Sequence, residues 1–420
     1  MATITENLQT IKNSTSAIKQ AILDKGGEVG DLTTYADAIT NLPSGEADSN
    51  PTAEKNNVTF YDYDGTIRYS YTADEFLALT EMPPLPTQPG LICQEWNWSF
   101  EDAMEYVAEY GVLDIGATYI TDDGKTRLYI RIAAEGRMDV PLYFQQTIAN
   151  GVTIDWGDGS ATETLEGTGK VNTIHRYASV GDYVISLDVA EGTLNFGHGV
   201  SNISMIGNTD QSIYLYMLYK VEIGYNVVFN TSYTFVNNLN LISITLPAYV
   251  SKIASNFSTY TSIKTLVIPS KVTNLQIGLL TNNTDVRNII VPAKAKLAAQ
   301  GFRSLSMLSN IILPLVESIP TLCFSGDKSL TNVVFPRQVL TINDNSFSSC
   351  DGMIFYDFSH HTAVPTLTNT GAFTNIPSDC KIIVPDNLYD EWVAATNWSA
   401  YATYIIKKSE WDNLKQGGSL

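Results

Sequence analysis

Two acidic stretches hold the side chains best suited to chemistry. "FYDYDGT" sets Asp62 and Asp64 two apart behind an apolar run, and "DWGDGS" sets Asp155 and Asp158 beside Gly157 and Gly159. Paired carboxylates can supply a nucleophile, a general acid or ligands for a hard cation. A helix-flanked calcium loop needs a third ligand and a glutamate at its twelfth position. The helices that flank such a loop are missing around Asp155–Asp158, so "DWGDGS" reads as a tight turn in which glycines take positive φ and carboxylates bond nearby amides. Weak calcium binding is the alternative. His175, His198, His360 and His361 have no metal-type partner at i+4, and no Gly-x-Ser-x-Gly elbow offers a serine nucleophile. The pair His360–His361 reads as exposed polar surface. Trp96 and Trp98, two apart in "EWNW", fall on one face of a strand, as a core pair or as a platform for sugar rings.

"VTFYDYDGT" resembles the first motif of haloacid-dehalogenase-type phosphatases. The resemblance implies Asp62 as the attacking carboxylate, Asp64 as the proton handler and Mg²⁺ on the phosphate. That fold continues with a parallel sheet and crossover helices. Here "IRYSY" returns at once, so residues 58–71 read as a hairpin turning at Asp64-Gly65. No catalytic, cofactor-binding or metal-binding residue is expected in this chain.

A length of 420 residues implies more than one domain. The net charge of -19 argues against duplex DNA and anionic lipid as partners. Cys93, Cys323, Cys350 and Cys380 form no Cys-x-x-Cys pair and read as buried free thiols. No run of 18 apolar residues exists, and "MATITENLQT" lacks the basic and apolar regions of a Sec signal peptide.

Five phrases, "SITLP", "TLVIP", "NIIVP", "NIILP" and "NVVFP", end at Pro247, Pro269, Pro292, Pro314 and Pro336, with gaps of 22, 23, 22 and 22 residues. Ten residues after the first four stand Phe257, Leu279, Phe302 and Phe324, and Phe347 follows Pro336 by eleven. Val250 and Ile253, with their later equivalents, fill the interval. Fixing the backbone of such a unit costs roughly 1–2 kcal/mol per residue. Burying its few apolar side chains returns only about 1.5–3 kcal/mol each. The unit must therefore stack on its neighbours, with proline ending each strand because it cannot donate further. The pattern resembles the BspA-type leucine-rich repeat, which implies a solenoid.

"VTIDWGDGS" followed by "HRYASVGDYVISLDV" is similar to polycystic-kidney-disease-type (PKD) domains. The matching residues are Trp156, Gly157, Asp158, Gly159, His175, Tyr177, Gly181 and Tyr183. The resemblance implies an immunoglobulin-like β-sandwich acting as spacer or adhesive unit.

The expected fold is mainly β and multidomain. Residues 1–42 read as a helical stem whose seam, Ile4, Leu8, Ile11, Thr15, Ile18 and Ile22, follows heptad spacing and favours a homotrimeric coiled coil. A monomeric helical hairpin is the alternative. Residues 43–57 form a linker and 58–137 a small α+β domain. That domain holds a helix between Ser99 and Gly111 and a second hairpin turning at Asp123-Gly124. Residues 138–200 form the sandwich, 201–385 the solenoid and 386–420 a C-terminal cap. The capping helix starts at Asp386 and buries Leu388 and Trp392. "LTTYADAI-x-N-L" near the start resembles tail and fibre proteins of bacteriophages. Together the resemblances imply a structural virion protein: a tail fibre, baseplate appendage or head fibre. It would be docked on other virion structural proteins by its N-terminus and present its repeats for host adhesion. The implied partner is a bacterial surface receptor, a glycan included, with no nucleic acid and no membrane insertion. Two alternatives stand: a bacterial cell-surface adhesin with BspA-type repeats, and a glycan depolymerase. The latter needs a carboxylate pair about 5–10 Å apart.

Overall fold

The computed structural model describes residues 57–201, 203–207 and 216–416. The heptad seam Ile4, Leu8, Ile11, Thr15, Ile18 and Ile22 lies outside these residues, as does nearly all of the linker. The described chain is mainly β with few helices, and its larger part is a β-solenoid of about eight turns.

A small α+β body comes first. Strands β1 (Val58–Tyr61) and β2 (Ile67–Tyr71) form the expected hairpin. A short helix, α1 (Ala73–Leu77), opens with a capping box between Thr72 and Glu75. Strand β3 (Leu91–Trp96) leads into α2 (Phe100–Tyr110). That helix starts where Ser99 accepts from the Asp102 amide and stops at Gly111, whose φ is +71°. Strand β4 (Leu113–Thr121) then runs parallel to β1, giving the order β2-β1-β4-β3. Phe60, Trp96, Trp98, Tyr106 and Tyr119 fill the core of this body.

The second expected hairpin does not form. At Asp123-Gly124 the chain leaves the first sheet, and β5 (Thr126–Ile132) pairs in another one with β10 (Gly181–Val189). The turn is tight, but it bridges two sheets. The sandwich therefore begins at Thr126, ahead of the expected residue 138. One of its sheets contains β5, β7 (Val152–Asp155), β8 (Glu163–Thr164) and β10; the other contains β6 (Asp139–Gln146), β9 (Gly169–Arg176) and β11 (Leu194–Phe196).

Both sandwich sheets continue directly into the solenoid. Strand β12 (Leu218–Glu222) pairs antiparallel with β5, and β13 (Val227–Val228) pairs parallel with β11. From there the rungs stack in parallel. The first row runs through β14 (Ser243–Ile244), β15 (Thr265–Val267) and β16 (Asn288–Ile290). It goes on through Asn310 to β18 (Asn332–Val334), β20 (Phe355–Asp357) and β22 (Lys381–Val384). The second row includes β17 (Ser318–Ile319), β19 (Thr341–Ile342) and β21 (Thr366–Leu367). One apolar cluster runs from Leu128 to Ile405 without a break. The sandwich thus closes the edge that the first rung would otherwise expose.

The far end departs from expectation. The last rung is β23 (Ile405–Lys407), parallel to β22, so the solenoid passes residue 385. The expected capping helix lies inside that final turn as a short α3 (Tyr389–Ala394), with Trp392 buried against Phe358 and Trp398. Asp386 does not cap it; its carboxylate accepts from the Ser409 amide at the start of α4 (Lys408–Gln416). Cys323, Cys350 and Cys380 are buried free thiols, while Cys93 is half-buried.

Candidate functional site

The acidic motifs are absorbed by structure. Asp62 is fully buried; it accepts from the Tyr63 amide at 2.9 Å, from Arg68 Nε at 2.9 Å and from Gln88 Nε2 at 2.6 Å. A carboxylate so fully paired has no lone pair directed at a substrate. Asp64 accepts from the Thr66 amide and shapes the turn. Gly65 is required there: a Cβ on it would stand 2.5 Å from Thr265 Oγ1 of the solenoid.

In the sandwich turn, Asp155 and Asp158 accept from the amides of Gly157 and Ser160. Asp158 Oδ2 lies 2.8 Å from His175 Nε2, and the His175 ring stacks on Trp156 at 4.6 Å. Burial raises the Asp158 pKa, but hydrogen bonds with Ser160 and His175 outweigh it and bring it down to about 2. Tyr177 donates to the Trp156 carbonyl at 2.8 Å, tying the turn to the next strand. These contacts fix a loop. Among the described residues, no group of three His, Cys, Asp or Glu side chains is placed to hold a metal.

The histidine pair is divided. His360 lies 3.8 Å from Glu109 and against the Tyr110 ring. His361 is buried, contrary to the expected exposed surface, because it fills the turn beneath Trp392 and bonds the Val339 carbonyl at 3.1 Å. Burial lowers its pKa below the usual histidine range.

The largest remaining surface is that of the solenoid. Phe257, Leu279, Phe302, Phe324 and Phe347 are all buried. They do not occupy one seat, however. Backbone bonds align Phe235, Ser258, Leu280, Phe302, Phe324 and Phe347, which puts Phe257 and Leu279 one residue earlier. Where the later seat holds phenylalanine the earlier one holds a smaller residue, Thr234, Gly301, Cys323 or Ser346; Phe257 stands beside Ser258, and one rung divides the space between Leu279 and Leu280. Volume is exchanged between adjacent seats so that each rung fills the same space. Left-handed residues flank both seats in each turn, as at Asn256 and Tyr260, then Leu322 and Gly326.

The prolines end their strands beneath the α+β body. Pro247, Pro269, Pro292, Pro314 and Pro336 offer no amide, so the carbonyls just before them lack the donor a continued ladder would bring. Side chains of the first body supply it. Asn97 Nδ2 donates to the Ile268 carbonyl (2.9 Å) and adds a second bond to that of Ile290 (3.1 Å), which already accepts from the Ile268 amide (3.0 Å). Trp98 Nε1 donates to Val291 (2.9 Å) and Tyr106 Oη to Leu313 (2.9 Å). Arg337 donates its amide to Tyr110 Oη at 3.1 Å. Outward-facing Val267 and Ile290 pack on Tyr61, and Ile312 and Val334 join the core of the first body. Both tryptophans thus lie in a core; Trp98 bonds the solenoid, whereas Trp96 Nε1 donates to the Pro83 carbonyl at 2.9 Å within the first body. Elsewhere on the solenoid Tyr260, Ile277, Leu340 and Ile354 are exposed.

Residues 230–354 and 296–390 match the family model for the BspA type leucine-rich repeat region, in six copies. The repeats are of the BspA type. The matched range excludes the sandwich and the α+β body. A solved structure described as a leucine-rich cell surface protein from Faecalibacterium prausnitzii A2-165 shares 17% identity with this chain. The match covers 44% of this chain and 63% of that one, with a TM-score of 0.26. No curated protein matches. No helix among the described residues is long and apolar enough to cross a membrane.

Proposed function

We propose that this chain is a surface-binding, adhesin-like protein that presents a BspA-type solenoid to a receptor on a cell. The match of residues 230–390 to the repeat family carries the reading. The fate of the acidic motifs supports binding over turnover, since Asp62, Asp155 and Asp158 are committed to internal contacts. A solenoid binds by area and repetition, so it needs no single reactive group. The sandwich, with its PKD-like turn, serves as a rigid spacer in this reading, and the last-turn helix with Trp392 closes the far end.

Two carriers fit such a protein. A bacterial cell surface is the one the repeat family favours. A phage fibre is the second, favoured by the heptad spacing of Ile4, Leu8, Ile11, Ile18 and Ile22. In that case a trimeric stem docks the chain on a virion and the receptor lies on a bacterium. Labelled full-length chain incubated with bacterial and animal cells tests the shared claim: saturable binding to one of them is expected, and its absence from all of them overturns the proposal. Immunogold labelling of cells and of virus particles separates the carriers.

A further inference from the structure

Each rung of the first row begins at the end opposite the prolines, and there β12 and the three rungs that follow it, β14, β15 and β16, leave an open groove. It encloses about 440 Å³, within the range of small-molecule sites. Its floor is built by the repeat. Tyr219, Ile242 and Lys264 hold one seat in successive rungs, joined by amide bonds from Ile242 to Tyr219 (3.0 Å) and from Lys264 to Ile242 (3.3 Å). Asn240, Ser262 and Asp285 form a second column beside it. The columns advance by the strand spacing of about 4.8 Å.

One wall is aromatic and already fixed. The Tyr219 ring packs on Tyr129 at 6.1 Å, and the Arg131 guanidinium lies 5.7 Å from its centroid. Asp182 grips Arg131 through two bonds of 2.6 and 2.8 Å, which cancels that charge and locks the stack. Tyr216, about half exposed, is steadied by Asn240 Nδ2 donating to its carbonyl at 2.7 Å. With Arg131 neutralised, the lining carries one cation, Lys264, and one carboxylate, Asp285.

We infer that this groove is a binding site for a neutral oligosaccharide, its chain lying across the rungs. Sugars present an apolar C–H face and a rim of hydroxyls. The tyrosine rings suit the face; Asn240, Ser262, Lys264 and Asp285 suit the rim. A balanced lining on a chain of net charge -19 disfavours phosphate-rich or polyanionic ligands. A preformed aromatic wall lowers the ordering cost of binding. The inference rests on the adhesive reading and gives its receptor a chemical class.

Calorimetric titration of the full chain with cellohexaose, mannohexaose and chitohexaose, and with hexagalacturonate as the acidic probe, tests it. At least one neutral hexasaccharide should bind with a Kd below about 1 mM. Tyr216→Ala and Asp285→Ala, both surface changes, should each weaken it about tenfold or more. Leu340→Ala, on a distant exposed seat, should leave it unchanged. Absence of neutral binding, tighter binding of the acidic probe, or parental affinity in both groove variants would overturn the inference. Cell binding that persists in the Tyr216→Ala, Asp285→Ala double variant removes the groove and leaves the adhesive reading standing. Absence of cell binding by the parent chain removes the adhesive reading itself.

Discussion

Each rung of the first row has two ends, and they are finished differently. At the proline end the outward seats are apolar, and a separate body covers them: Val267, Ile290, Ile312 and Val334 lie under residues 58–121. At the starting end the corresponding seats are Tyr219, Ile242 and Lys264, and they open onto solvent. The backbone repeat is the same throughout; the alternating seat decides whether a face is buried. Proline explains why the cover sits where it does. A strand that stops donating leaves carbonyls unpaired, and Asn97, Trp98 and Tyr106 meet them.

The largest break in this contrast should come from the cover. Trp98→Ala removes a buried indole and the donor to Val291, and should cost about 3–5 kcal/mol in urea unfolding of the full chain. Asn97→Leu keeps the volume but strands the Ile268 carbonyl and the Gly116 amide, while the Ile290 carbonyl keeps its bond from the Ile268 amide. Its expected cost is about 2–3 kcal/mol.

The rung corners sharpen the contrast, because they are satisfied from the next turn with no cover. Asn283 Oδ1 accepts from the Thr261 amide at 2.6 Å, and its Nδ2 donates to the Ser258 carbonyl. Asp327 fills the same seat two turns later and accepts from Leu305 at 2.8 Å, but its buried Oδ2 has no partner. A carboxylate cannot donate as the amide does. Burial pushes the Asp327 carboxyl well above its ordinary value, against the pull of the Leu305 amide. Its folded pKa therefore exceeds the unfolded one. The stabilising share is complete below the unfolded pKa of about 3.9 and is lost as pH rises toward the folded value. Asp327→Asn should raise stability by about 1–2 kcal/mol at pH 7, and the gain should vanish near pH 4. Unfolding midpoints at the two pH values check this. The smallest effect belongs to the open face: Ile277→Ser should move stability by no more than about 0.5 kcal/mol, by the same assay.

The sequence made the rungs readable because proline marks each strand end at a fixed interval. It also carried a sign of the cover. "LVI", "IIV", "IIL" and "VVF" are unbroken apolar runs, where a strand with one wet face would alternate. The cover itself was not legible, since Asn97 and Trp98 meet partners 171 to 193 residues away. The one-seat displacement of Phe257 and Leu279 was hidden because neighbouring seats share one period. The hairpin expected at Asp123-Gly124 failed because a turn sequence fixes local geometry, not the sheet that receives the next strand. The groove was not legible because Tyr219 and Lys264 belong to one row only once the rungs are stacked.

Native-state hydrogen exchange on the full chain tests most directly whether cover and solenoid are one structure. Amides of β1 and β4 should open with the same free energy as the rung amides of Lys264, Arg287 and Ile354, in one cooperative step. Opening of residues 58–121 at a clearly lower free energy, with the rungs still protected, would contradict the account.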